Sequence, residues 1–254
     1  MSQRTIVFPA VGGLLLVCIT MSLFAQQAAQ TPAAAPYVPE DHRPPLFFKD
    51  TFRHPGPLGL NAVLGQDAIS VPNVELKIYG QTKQSPPGPH DATSPNHGGL
   101  ELVHRATPKD DPTFIYFGPC FTPCAVAFRD RNNFVDLTGL AKIKWRTKQA
   151  GFHALQPIVK LANGTWLVGD YREPAASDWN EREFAIMDVR WHLFNAERVV
   201  TTQNADWVEK PDLSRVDEFG FADLMPGNAA DQGHGTASTA RVDWIEIWGS
   251  PVKR

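Results

Sequence analysis

Ala141-Lys142-Ile143-Lys144-Trp145-Arg146 decides the fold. Ala141, Ile143 and Trp145 point one way, while Lys142, Lys144 and Arg146 point the other, and only an extended strand separates alternate residues so cleanly. The same period of two recurs on either side. Val74, Leu76 and Ile78 alternate with Glu75 and Lys77. Further strands are expected at 100–104, 113–117, 125–129, 153–161, 165–169, 183–191, 198–202, 216–224 and 240–249. Asn163-Gly164, Pro226-Gly227-Asn228 and Gly233-His234-Gly235 supply turn signals between them. About a dozen short strands with such punctuation define an all-β protein: a jelly-roll β-sandwich of two antiparallel sheets in a single domain. The stretch 177–190 fits alternation as well as a helical stripe and reads as a loop followed by a strand. Residues 240–249 carry apolar side chains on both faces. That strand is therefore either covered on both sides or shifted in phase by a bulge near Trp244.

Composition agrees with this class. Of 254 residues, 43% are hydrophobic and 20% charged, which excludes a disordered chain or a coiled coil. With 24 Lys+Arg against 27 Asp+Glu, a basic nucleic-acid binder is excluded too, so no nucleic-acid partner is expected. Residues 1–25 read as a secretory signal peptide: Arg4 supplies the positive charge, 6–19 the apolar run and Ala25 the cleavage point. Membrane contact is expected only through this segment before cleavage, and the mature protein is expected to be secreted or periplasmic. Residues 26–45, rich in Ala, Pro and Gln, read as an extended linker, and residues 46–251 as the β-sandwich domain. Residues 81–99, with His90 and His97, read as a long polar loop. Cys18 falls inside the signal. Cys120 and Cys124 remain, and in an oxidising compartment they are expected to pair as a loop staple; a redox pair or half a metal site are the alternatives.

Two further stretches carry a resemblance. The domain opens with Leu46-Phe47-Phe48-Lys49-Asp50-Thr51-Phe52. It closes with Pro211-Asp212-Leu213-Ser214-Arg215-Val216-Asp217-Glu218-Phe219-Gly220-Phe221 and Arg241-Val242-Asp243-Trp244-Ile245-Glu246-Ile247. These resemble the opening and closing strands of the galactose-binding-like β-jelly-roll over roughly residues 46–249. That fold is shared by many carbohydrate-binding modules and accessory domains of secreted glycosidases. The patterns are fold-closing ones, also compatible with a laminin-G-like or concanavalin-like sandwich, and they bring no catalytic motif. The resemblance implies a carbohydrate or cell-envelope glycan as partner.

Sugar rings present apolar faces that stack on aromatic side chains, so the seven tryptophans are the first candidates. Trp145, Trp191 and Trp244 read as core. Trp166, Trp179 and Trp207 sit beside loop residues and read as possible contacts. Trp166, Asp170, Tyr171, Arg172 and Trp179 combine stacking rings with bidentate hydrogen-bonding groups and form the expected ligand site. The rival is a glycan hydrolase or lyase on the same scaffold, using His234 with Asp231 or Glu181. No cofactor and no catalytic metal are expected. A structural Ca²⁺ would draw on Asp50, Asp217, Asp243 and Glu246. A zinc site from His90, His97 and His104 would need wide, irregular spacings.

Overall fold

The computed structural model describes residues 43–56, 61–80, 99–105, 111–120, 122–202, 207–225 and 239–254. The expected signal peptide, most of the linker, the loop with His90 and His97, and the turn with Asp231 and His234 lie outside the described residues. The first strands are β1 (Leu46–Asp50), β2 (Asn61–Val63), β3 (Val74–Gly80), β4 (Glu101–Val103), β5 (Phe114–Tyr116) and β6 (Cys124–Asp130). Next come β7 (Asn133–Asp136), β8 (Lys142–Gln149), β9 (Leu155–Leu161), β10 (Trp166–Gly169), β11 (Asn180–Ala185) and β12 (Trp191–Asn195). The last are β13 (Val200–Thr201), β14 (Trp207–Val208), β15 (Val216–Asp223), β16 (Ala240–Trp248) and β17 (Ser250–Lys253).

They form two antiparallel sheets. The first runs β11-β8-β16-β5-β4-β2, with β1 also on β16. The second runs β13-β12-β10-β9-β15-β6-β3, with β14 on β12, β7 on β15 and β17 on β7. In β8, Ile143 and Trp145 are fully buried between the sheets, whereas Lys142, Lys144, Arg146 and Lys148 face outward and stay partly exposed. The second sheet contributes Val126, Phe128, Val159, Phe219 and Phe221 to the same core. There Phe48 of β1 packs on Phe128 and Phe219, with ring centres 4.9 and 5.3 Å apart.

The phase shift expected near Trp244 is a β-bulge. The register of β16 against β8 slips between Val242 and Trp244. Val242 points into the core before the slip, and Ile245 and Ile247 do so after it. The bulge turns Trp244 outward, which corrects its reading as a core residue: it is partly exposed, with Lys49 Nζ 5.6 Å from its ring centre. Trp145 and Trp191 are core residues as expected.

The strand expected over 183–191 is corrected. The chain pairs with β8 from Asn180 to Ala185, makes a 3₁₀ turn at Ile186–Asp188, and begins β12 at Trp191. One strand cannot run through, because Ala185 belongs to the first sheet and Trp191 to the second. Ile186 and Val189 are buried at this corner. Asn163-Gly164 is the hairpin turn between β9 and β10: Gly164 takes φ +89°, and Asn163 Oδ1 accepts from the Thr165 amide at 2.9 Å. Strands β2, β7, β14 and β17, two to four residues each, are too short to show a period in sequence. Cys120 and Cys124 form a disulfide at the start of β6, and both are buried. The continuous segment β16–β17 also serves both sheets: β16 lies in the first, beside β1 and β8, and β17 joins the second through β7.

Candidate functional site

The outer face of the second sheet is a trough. Tyr79 on β3 and Trp166 on β10 are four strands apart, about 19 Å across a flat sheet at ~4.8 Å per step. Their rings nevertheless meet at 5.0 Å between centres. Side chains of that reach cannot span a flat face, so the sheet is rolled with this face concave, and a sheet rolled this way forms a trough along its strands. Small outward residues on the central strands, Ala125, Ala127, Gly220 and Ala222, leave the floor shallow enough for Tyr79 to lean across. Gly220 is obligatory here. A Cβ at that position would sit 1.9 Å from the Val126 carbonyl oxygen, a backbone atom that cannot swing aside.

The turn joining β12 to β13 folds over this floor. Phe194, Ala196 and Val199 pack on Ala125, Ala127, Ile158, Val168 and Ala222 as a cluster separate from the main core. Val199 is fully buried and adopts φ +52°, a left-handed conformation rare for a β-branched residue. Opposite it, Gly80 has φ +92°, and a Cβ there would lie 2.9 Å from Val199 Cγ2. The turn thus reaches the far rim at Gly80, with one hollow against it and a second that shares Thr202 with the first.

One hollow, about 440 Å³, is lined by Tyr79, Lys160, Trp166, Phe194, Glu197 and Thr202, among others. Glu218 beneath it accepts from the Tyr79 hydroxyl at 2.6 Å and from Lys160 Nζ at 2.9 Å. Burial, then the bond to Glu218, pushes the Tyr79 hydroxyl far above its usual pKa, so it remains a donor. The second hollow, about 460 Å³, is lined by Gln156, Asp170, Arg172, His192, Trp207 and Leu224 together with Thr201 and Thr202. Asp170 is anchored by Arg190, whose Nε donates at 3.0 Å. The Trp207 ring centre lies 3.6 Å from that of His192 and 3.9 Å from Arg190 Cζ, and Trp207 is 40% exposed.

The expected ligand residues therefore divide. Trp166, Asp170 and Arg172 line the trough. Tyr171 faces the other way: its ring stacks on Phe184 at 3.9 Å, and its hydroxyl donates to Glu173 at 2.9 Å. The parity of a strand edge explains this, since Tyr171 follows the outward Asp170. Trp179 belongs to the first sheet, beside Phe114 and Arg146, with its Nε1 donating to Asp111 Oδ1 at 3.3 Å. Glu181 also stands there, exposed on β11 opposite Arg146. Tyr79, Gln156, His192 and Thr202 were not singled out in sequence. Tyr79 had a legible signal, an aromatic ring on the polar side of a strand with Glu75 and Lys77.

The carboxylates considered for Ca²⁺ are not gathered. Asp50 accepts from the Phe52 and Ser70 amides, Glu246 from Lys49, and Asp243 from Arg146 at 2.7 Å. Asp217 lies on the second sheet with Arg129 and Arg254. Among the described residues, no three His, Cys, Asp or Glu side chains are grouped to hold a metal ion. Burial pulls Asp217 upward, but the bonds from Arg254 and Arg129 outweigh it and hold its carboxyl below the usual aspartate range. A carboxylate depressed in the folded state stabilises above its unfolded pKa, about 3.9, and loses that contribution as pH falls through the folded value. Thermal melts from pH 6 to pH 2.5 are therefore expected to show a drop that is smaller in Asp217→Asn. Equal slopes in the two proteins would refute the assignment.

No family model matches the chain, and no curated protein matches it in sequence. Among solved structures, it is similar to a family 11 carbohydrate-binding module from Clostridium thermocellum in complex with a β-1,3-1,4-mixed-linked tetrasaccharide. Identity is 14%, covering 78% of this chain and 100% of that one, with a TM-score of 0.41. It is also similar to the family 11 module of a cellulosomal cellulase of the same organism, at 14% identity over 77% of this chain and 97% of that one, with a TM-score of 0.40. The jelly-roll sandwich rests on the strand order and register above.

Proposed function

We propose that this protein binds carbohydrate in the trough of the second sheet, as an exported module without chemistry of its own. The observation that carries the reading is the pair of hollows. Each sets an aromatic ring, Trp166 with Tyr79 or Trp207, beside charged and amide groups: Lys160 and Glu197 in one, Gln156, Asp170 and Arg172 in the other. Apolar sugar faces stack on such rings, and hydroxyls pair with the flanking polar groups. Hollows of this size fall in the roughly 300–1,000 Å³ range of small-ligand pockets. The signal-like segment 1–25 and the disulfide support export.

A glycan array with the purified protein tests this. Selective binding is expected, and Trp166→Ala should weaken it about 30-fold, the loss of a central anchor worth ~2 kcal/mol. Trp179→Ala, on the other sheet, should leave affinity unchanged. A flat array, or equal losses from the two substitutions, would sink the proposal.

A further inference from the structure

We propose that the strap formed by residues 195–199 makes the trough a reader of glycan chain ends and excludes the interior of an extended chain. The inference rests on the carbohydrate reading of the same trough.

The trough runs along the strands, and an extended polysaccharide entering it would follow the floor from one end to the other. The strap blocks that path. It leaves β12 at Asn195, crosses the floor and meets the opposite rim at Gly80. It does not hover above the sheet. Ala196 and Val199 are buried, as are Ile158, Val168, Ala125, Ala127 and Ala222 beneath them, so no passage for a sugar ring remains between strap and floor. The sequence is fitted to this contact from both sides. The floor is stripped to alanines where the strap lies, Gly80 gives Val199 room, and Val199 keeps an unfavourable left-handed backbone in order to be buried.

What remains is two short compartments that share Thr202, one walled by the strap itself and the other by the residues that follow it. Asn195, Ala196 and Glu197 close one, and Thr201 and Thr202 border the other. A terminal stub of sugar fits such a compartment with the rest of the chain leading away from the strap. An internal segment needs the chain to continue in both directions, and the strap stands in one of them. Glu197 and Asn195 line the blocked end, where a terminal ring carries a hydroxyl that an internal ring has lost to its linkage.

The test uses the full chain and ladders of cello-, xylo-, manno- and malto-oligosaccharides of two, four and six rings, together with any glycan class the array selects, titrated calorimetrically. In the series that binds, the dissociation constant is expected to change less than about threefold from two rings to six. On the matching soluble polysaccharide, stoichiometry is expected to follow the number of chain ends, doubling when limited cleavage doubles the ends. Affinity that tightens tenfold or more with length, or several molecules bound per uncut chain, would overturn the inference while leaving carbohydrate binding intact. Absence of binding to every glycan removes the underlying reading instead, and the inference with it. A second variant, in which Ala196-Glu197-Arg198 is replaced by Gly-Gly, opens the trough. If circular dichroism shows it folded, it is expected to gain the length dependence that the natural chain lacks, and a folded variant still indifferent to length counts against the strap.

Discussion

Trp145→Ala is expected to destabilise the protein by about 3–5 kcal/mol, the range for removing a large aromatic ring from a closed core. Trp145 is fully buried at the centre of β8, with Phe184 at 5.0 Å and Tyr171 at 5.8 Å between ring centres. The surrounding strands are tied by ladder bonds on both sides of β8, so the void cannot collapse freely. A second loss adds to the cavity. The indole Nε1 donates to Glu173 Oε2 at 3.2 Å, and Glu173 is 1% exposed. Its other partners, the Tyr171 hydroxyl and Arg182, remain. Trp145→Phe separates the contributions: it keeps most of the volume but removes the donor, and about 1–3 kcal/mol is expected from a buried acceptor losing a bond. Urea unfolding at neutral pH measures both. A Trp145→Ala loss below about 1 kcal/mol would mean that the core is not packed as described.

His153→Leu should come close to that effect. His153 Nδ1 and Asp223 Oδ2 lie 2.5 Å apart, and both side chains are buried. Asp223 ends β15 and is fixed between Cys124 of β6 and Leu155 of β9, so it cannot turn to water when its partner is removed. Its other carboxyl oxygen accepts from the Met225 amide at 3.0 Å. Breaking a buried pair from one side costs about 3–5 kcal/mol, whereas replacing both members with apolar groups is often nearly neutral. The double variant His153→Leu/Asp223→Leu is therefore expected to be more stable than His153→Leu alone. At about 2–4 °C per kcal/mol for a domain of this size, the single variant should melt roughly 10 °C lower. Additive losses in the two single variants would show that the pair is not coupled.

What could be read from the sequence was what period two controls. The alternation through Trp145 located β8 and both of its faces, and the doubled apolar pattern around Trp244 located the bulge. Distances across the fold were a different matter. Trp166 and Trp179 stand thirteen positions apart in the sequence, yet the connection from β10 to β11, residues 170–179, carries the chain from the second sheet to the first and places them on opposite sheets. Tyr171 was read with Asp170 and Arg172 because they are neighbours, and single-residue parity sent it inward. The trough depends on how far the second sheet rolls, which comes from alanines and glycines that look unremarkable one strand at a time. His192 and Trp207 meet only because β14 pairs with β12 through two residues.

The segment that carries β16 and β17 has a consequence for the timing of folding. β1 has its ladder on β16, nearly two hundred residues further along the chain, and β7 receives its outer neighbour only from β17. Neither sheet is complete until the ribosome has released this segment, and contacts so distant in sequence form slowly. A nascent chain therefore stays open through nearly all of its synthesis.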